Sequence, residues 1–285
     1  MFEKITIIVS AFISNGNKHR NIDQYISHGK KLLESNCLKI IFIEREVFHE
    51  HLKEYTIEEK YSFQYMVNDA VKTFEYVIFN NIIFVFFERN DNYLYAYQDE
   101  MTEFQLNTDN PNKDTIDYMF IQCHKTEWLH MSICLMNQKE NRLFTNTEVL
   151  WIDFGIFHMI RNKDVLKQEI ENLRIRVSKN SDNSQEEKKS ENSIRIASCW
   201  DLTKNYIDVD LYHKVAWYFA GSIFGGSENI LIEFAERTKE KCIQIIRERK
   251  SLMWEVNVWY LIYLDKPELF NSYICGHDTS IITNY

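Results

Sequence analysis

The chain has 285 residues, a net charge of −9, 45% hydrophobic and 14% aromatic residues. That is enough apolar material for one large core. The acidic balance excludes a duplex nucleic-acid binder, which needs a basic face. No apolar run has the length of a membrane-spanning helix, which leaves peripheral membrane association open, and the N-terminus carries no signal-peptide pattern. The six scattered cysteines include no CxxC pair and read as reduced core thiols, so the expected location is cytoplasmic.

Lys4–Phe12 is a β-branched run and reads as a first buried strand, followed by a polar loop over Ser14–Arg20. Ile22–Leu33 has helical apolar spacing, and Leu38–Ile43 reads as a second strand. Strand, helix, strand is the grammar of a parallel sheet covered by helices. Tyr55–Val77 reads as mostly helical, Ile82–Phe87 as a strand, and Asn90–Phe104 as an acidic, aromatic stretch of poor periodicity. Asn112 or Asp114 is a candidate cap for one long helix over Ile116–Met136.

Val149–Ile152 then runs apolar into Asp153-Phe154-Gly155, with a further helix expected over Ile156–Val177. Ser178–Ser193 has no apolar residue and reads as a dispensable, solvated surface insertion within one domain spanning residues 1–285. Strands are expected at Ile194–Trp200 and Lys214–Phe219, and helices at Ser227–Arg249 and Trp254–Leu264. Pro267 marks a turn, and Ile274–Tyr285 reads as a short irregular or extended tail.

The chemistry-bearing features start with Asp153. A carboxylate is costly to bury, so its place is the open end of a strand, where α/β sheets bind ligands. There it can hold a divalent metal and phosphates, with Gly155 letting the backbone bend. Only seven glycines occur in the chain, and Gly221, Gly225 and Gly226 cluster with Ser222. That cluster reads as a loop of exposed N–H groups before a helix, suited to anionic or polyhydroxyl ligands. Glu255, beside Trp254 and near Trp259, is a candidate general base or sugar-hydroxyl acceptor. His277, next to Asp278, is a candidate metal ligand. Lys125 lies one helix before Asp153, with Lys113 and Tyr118 nearby, and is a candidate for donor phosphates. Asp153-Phe154-Gly155 spells the kinase metal motif without the other kinase segments. His49-Glu50-His51 and Cys123-His124 are weak as metal sites.

The series Asn110-Pro111-Asn112-Lys113-Asp114-Thr115, Tyr118, Lys125-Thr126-Glu127-Trp128, Trp151-Ile152-Asp153-Phe154-Gly155-Ile156, Ala220-Gly221 with Phe224-Gly225-Gly226, and Trp254-Glu255 resembles the HtrL/YibB (WlaTC/HtrL-type) glycosyltransferase family. The resemblance covers most of the chain, in the same order, and leaves out Ser178–Ser193. It implies a GT-A-like nucleotide-sugar-binding fold, an α/β fold with a mainly parallel central sheet flanked by helices. It implies transfer of a sugar from a nucleotide-sugar donor to a glycan or lipid-linked acceptor, assisted by Mn²⁺ or Mg²⁺. The expected roles are Asp153 on the metal, joined by His277 through an analogy of position with the C-terminal histidine that completes the metal site in some GT-A enzymes, and Ser10, Lys125, Asp153 and Gly155 on the donor. Gly221, Ser222, Gly225, Gly226 and Trp254 are expected on the sugar or acceptor, and Glu255 with Asp153 in catalysis. Only the first carboxylate of the family type's Asp-x-Asp motif is present. The rival readings are a metal-dependent phosphoryl transferase or hydrolase, and a non-catalytic glycan-binding protein on a degenerate GT-A scaffold.

Overall fold

The computed structural model describes residues 5–14, 21–55, 58–138, 147–158, 167–173, 192–204 and 210–285. Its strands are β1 (Ile5–Phe12), β2 (Leu38–Ile43), β3 (Tyr61–Val67), β4 (Ala70–Phe79), β5 (Ile82–Phe86), β6 (Thr147–Ile152), β7 (Ile194–Ser198), β8 (Ala220–Ser227) and β9 (Phe270–Ile274). Its helices are α1 (Ile22–Leu33), α2 (Arg45–His51), α3 (Ile116–Cys123), α4 (Lys125–Gln138), α5 (Glu228–Arg249), α6 (Glu255–Asp265) and α7 (Ser280–Thr283). Residues 167–173 are also helical.

All nine strands form one sheet in the order β3-β4-β5-β2-β1-β6-β8-β7-β9. β5, β2, β1 and β6 are parallel neighbours. Their apolar runs are buried on both faces: Ile7, Ile8 and Val9 in β1, Ile40 to Ile43 in β2, Val149 to Ile152 in β6. Helices on both sides supply that cover, so the α/β expectation holds.

The expectation of a mainly parallel sheet does not. β3, β4 and β5 run antiparallel in sequence, and β8 is antiparallel to both β6 and β7. The sheet is mixed. The first departure follows from turn chemistry. Asn68 and Asp69 have φ of 47° and 63°, and Asn80 has φ of 52°. Two-residue turns with positive φ join antiparallel strands, and Asn and Asp tolerate that conformation best after glycine.

The same turns overturn the helical reading of Tyr55–Val77. Phe63, Tyr65 and Val67 are buried while Ser62, Gln64 and Met66 are exposed, which is strand alternation. β3 ends the sheet, and the Gln138 side chain caps its edge. The Gln64 N–H donates to Gln138 Oε1 at 3.1 Å, and Gln138 Nε2 donates to the Gln64 carbonyl at 2.7 Å.

The long helix over Ile116–Met136 is two helices, α3 and α4, separated at His124. The His124 N–H donates to the Ile121 carbonyl, closing α3 with a tight turn. α3 is capped by Thr115, whose Oγ1 accepts from the Tyr118 N–H at 3.2 Å, rather than by Asn112 or Asp114. Asp114 instead accepts from the Thr108 hydroxyl.

Of the helix expected over Ile156–Val177, residues 156–158 form a 3₁₀ turn and 167–173 are helical; the remainder lies outside the described residues. So does the insertion expected at Ser178–Ser193, up to residue 191. Lys214–Phe219 is not a strand. Asn257 of α6, fully buried, holds this segment by accepting from the Ala216 N–H and donating to the Leu211 and Lys214 carbonyls. The strand begins at Ala220, so the glycine cluster expected as a loop lies inside β8. The tail expected to be irregular or extended from Ile274 holds the short helix α7.

From β1 the chain moves outward to β2 and β5, then returns through α3 and α4 to place β6 on the other side of β1. Ligand crevices form at the carboxyl ends of such a strand pair.

Candidate functional site

A cavity of about 810 Å³ opens at the carboxyl ends of β1 and β6. Ala11 to Ser14 line it after β1, and Asp153, Phe154 and Gly155 line it after β6. Asn21 and Tyr25 come from the start of α1, Tyr118 and Gln122 from α3, Lys113 and Asn110 from the loop before, and Lys125 from α4. The position follows from local sequence. An apolar run in a two-sided core ends where the first carboxylate meets the open edge.

Phe154 turns back from that edge onto α1. A β-carbon at Gly29 would run into the Phe154 ring, so the close contact between α1 and this turn needs glycine.

Behind Asp153 lies an ion cluster. Lys125 Nζ is 2.9 Å from Asp153 Oδ1 and 3.0 Å from Glu255 Oε1, and it donates to the Gly221 carbonyl at 3.0 Å. The ammonium has three hydrogens and three acceptors. Lys125 and Glu255 are nearly sealed from solvent, at 3% and 8% side-chain exposure, whereas Asp153 is at 33%. Burial alone would lower the Lys125 pKa. The charges of Asp153 and Glu255 outweigh it and raise the pKa above the ordinary lysine value. Lys125 opens α4, where a cation opposes the helix dipole, so the two carboxylates also offset that cost. Glu255 opens α6, where its charge is favoured. One cation against two carboxylates leaves the cluster with net charge −1.

Asp153 is fixed on three sides. Trp151 Nε1 donates to Oδ1 at 2.7 Å, Lys125 shares that oxygen, and the Asp153 N–H donates to the Ser222 carbonyl at 2.9 Å. Among the described residues no group bonds Oδ2. The Trp151 indole is itself held by the Trp128 ring, stacked at 5.7 Å and 7°.

Gly221 and Ser222 therefore belong to the cluster, but through their backbone carbonyls. A β-carbon on Gly221 would run into Glu255 Oε1 and sit 3.3 Å from Lys125 Nζ. Glycine is what lets β8 approach.

The other expected site residues lie elsewhere. Gly225 and Gly226 pair with Leu150 and Val149, toward the opposite end of the antiparallel β6–β8 pair from Asp153. A β-carbon on Gly225 would strike Leu150 and the Val149 carbonyl, so its role there is packing. Ser10 is fully buried and donates to the Ile152 carbonyl at 2.6 Å, strapping β1 to β6 beneath the cavity. Trp254 is a core residue at the N-cap of α6. His277 is exposed and packs edge-on to Trp217 at 4.6 Å, away from the cavity lining. Gly155 does line the cavity, and its carbonyl accepts from His158 Nδ1 at 2.5 Å. Cys123 and His124 are fully buried in the core, and burial lowers the His124 pKa, so that ring is neutral.

Two residues carry more weight than the sequence suggested. Tyr118 has its phenol pKa raised, by burial first and then by the charges of Glu255, Asp153 and Asp114, so it stays a neutral hydroxyl. Lys113 lines the cavity with its ammonium 4.8 Å from the Tyr118 ring centroid and has no ion pair among the described residues. Both stand in the stretch that carries the resemblance.

No group of three His, Cys, Asp or Glu side chains is arranged to hold a divalent ion among the described residues. The residues fit a Mg²⁺ or Mn²⁺ ion that takes one protein carboxylate oxygen and completes its shell from substrate phosphates and water. They do not fit a cage that includes His277.

No protein-family model matches the chain, and no curated protein matches it.

Proposed function

We propose that this chain is a glycosyltransferase of GT-A type that moves a sugar from a nucleotide donor to a glycan or lipid-linked acceptor. The observation that carries the reading is Asp153. Its Oδ1 is held in a rigid clamp, and its Oδ2 has no partner among the described residues, in a cavity of about 810 Å³ at the turning point of the sheet. That cavity is in the size range of cofactor and nucleotide sites.

When bound, Mn²⁺ or Mg²⁺ supplies charge neutralisation for the departing diphosphate, and Asp153 is the residue that would hold it. Lys113 is the cavity cation suited to a donor phosphate, because among the described residues no carboxylate pairs with it. Lys125 is not, since its three hydrogens are all taken within the protein. Its role is to fix Asp153 against Glu255. Gly155 and Tyr25 shape the donor wall, and the Tyr118 hydroxyl is a neutral donor for a sugar or phosphate oxygen. Glu255 acts through Lys125 as a positioning residue in this scheme, and the acceptor hydroxyl is oriented in the cavity mouth.

The test is a panel of nucleotide sugars measured by thermal shift with and without Mn²⁺, followed by turnover assays on any donor that binds. A donor at a hundred times its Kd stabilises the fold by about 2.7 kcal/mol. Asp153→Asn should remove that stabilisation. Phosphate release without sugar transfer would replace this reading with the phosphoryl transferase or hydrolase. Sugar binding without donor turnover would replace it with the glycan-binding protein, a reading favoured by the engagement of Asp153 Oδ1 by Lys125.

A further inference from the structure

We infer that Cys199 and Cys275 form a redox-active dithiol that closes to a disulfide across the ends of β7 and β9. The inference does not depend on the transferase reading. β7 and β9 are parallel, with Ser198 opposite Ile274. Cys199 and Cys275 are the next residue on each strand. The Cys275 N–H donates to the Ser198 carbonyl at 2.9 Å, so the pairing persists to this level. Neighbouring strands lie about 4.8 Å apart, inside the roughly 4.4–6.8 Å window of Cα separations that a disulfide bridges.

The sulfurs are already 3.7 Å apart and share a hydrogen bond. A disulfide brings them to about 2.0 Å. Side-chain rotation about the Cα–Cβ bonds closes such a gap.

The two thiols are not equivalent. Cys199 is partly exposed, and Cys275 is buried. The hydrogen bond from Cys275 lowers the Cys199 pKa, and the same contact, with burial, raises that of Cys275. Cys199 is the attacking thiolate and Cys275 the resolving thiol.

The oxidant is a small-molecule disulfide. The Cys199 thiolate attacks one of its sulfurs, and the first thiolate leaves and takes up a proton. Cys275 then loses its proton to solvent and attacks the Cys199 sulfur of the mixed disulfide, releasing the second small thiol. Two protein thiols give up two electrons, and one disulfide is reduced to two thiols.

The remaining cysteines set the contrast. Cys37 is buried, Cys123 and Cys242 are fully buried in the core, and Cys134, on α4, has its thiol pKa raised by burial. β6, β7 and β9 share one direction, so this pair sits at the same sheet edge as Asp153, two strands along. Closing it would tie the Cys275-Gly276-His277-Asp278 turn to the end of β7.

The test equilibrates the full chain in graded mixtures of reduced and oxidised glutathione, traps free thiols by alkylation and maps peptides by mass. The expected result is a linked pair of peptides containing Cys199 and Cys275, short of two hydrogens and split by dithiothreitol. It should form at a less oxidising ratio than any other change in the chain. In Cys199→Ser the linked pair should vanish and Cys275 should stay alkylated at every ratio. In Cys134→Ser the linkage should be unchanged. Glutathione retained on Cys199 without closure, or Cys123–Cys242 closing first, would overturn the inference. So would Cys275 remaining alkylated throughout in the unmodified chain.

Discussion

Two lysines are buried at opposite ends of the sheet's parallel strands, and they are held in different ways. Lys39, near the start of β2, is fully buried; it donates to the Ser35 carbonyl at 2.5 Å and the Cys37 carbonyl at 2.6 Å. Those carbonyls sit in the turn that ends α1, where a positive charge suits the helix dipole. Among the described residues no carboxylate forms an ion pair with Lys39, and the more distant charge of Glu171 only partly offsets its burial. Its pKa falls to about 8, driven by burial. Lys125 is as deeply buried, yet two carboxylates drive its pKa up. Carbonyl dipoles can satisfy an ammonium's hydrogens without repaying its lost hydration; opposite charges do both. The first arrangement closes a turn, and the second fixes a carboxylate at a cavity.

The sharpest way to break the contrast is Lys125→Met. It leaves Asp153 and Glu255 as facing, unneutralised carboxylates, and should cost about 3–5 kcal/mol in urea unfolding at neutral pH. A cost under about 1 kcal/mol would mean that Lys125 does not hold the two carboxylates in place.

Asp153→Asn comes next, at about 1–3 kcal/mol, because Lys125 keeps Glu255 and the Gly221 carbonyl. Its diagnostic effect is on binding, where Mn²⁺-dependent stabilisation by a nucleotide sugar should disappear. Donor affinity unchanged in this variant would remove Asp153 from the site.

Glu255→Gln separates a base from a positioning residue. The structure puts Glu255 behind Lys125, outside the cavity lining. kcat should fall by less than about a hundredfold, with the shape of the pH–rate profile kept. A larger fall with loss of the profile's acidic limb would make Glu255 the base that the sequence suggested.

Lys39→Met should have the smallest effect at pH 7, within about 1 kcal/mol, since removing a costly charge offsets two lost hydrogen bonds. The two lysines then part in their response to pH. The folded-state pKa of Lys39, about 8, lies below its ordinary value of 10.5. Between those values the unfolded chain binds more protons, so raising pH favours the folded state. Relative to Lys39→Met, the unmodified chain should gain about 1–3 kcal/mol across that window in urea titrations. A flat difference would show that burial leaves the Lys39 pKa where it is in the unfolded chain.

What the sequence revealed and concealed follows the range of each signal. Asp153 was legible because its signal is local, an apolar run meeting a carboxylate and then a glycine. The partners of Lys125 were not. Glu255 lies 130 residues away, and no periodicity or composition links them. The glycine cluster was misread for a related reason. Gly221 permits contact with Glu255, whereas Gly225 and Gly226 permit contact with Leu150 and Ile230. Glycines that admit a neighbour look the same in sequence as glycines that turn the chain. The β3–β4 hairpin was legible and missed, for its alternation flanks Asn68-Asp69 on both sides. His277 was placed by analogy of position, which carries no geometry.

The Gln138 side chain on the rim of β3 has a consequence beyond local hydrogen bonding. A carboxamide presents the same donor and acceptor as a peptide group, so it occupies the place that an incoming strand from another molecule would take. Met66 and Val71, at 59% and 63% exposure, flank that rim on the β3–β4 hairpin and would reward such pairing. A single glutamine at the end of α4 thus guards the margin of the sheet against self-association, and does so with the helix whose other end begins at Lys125.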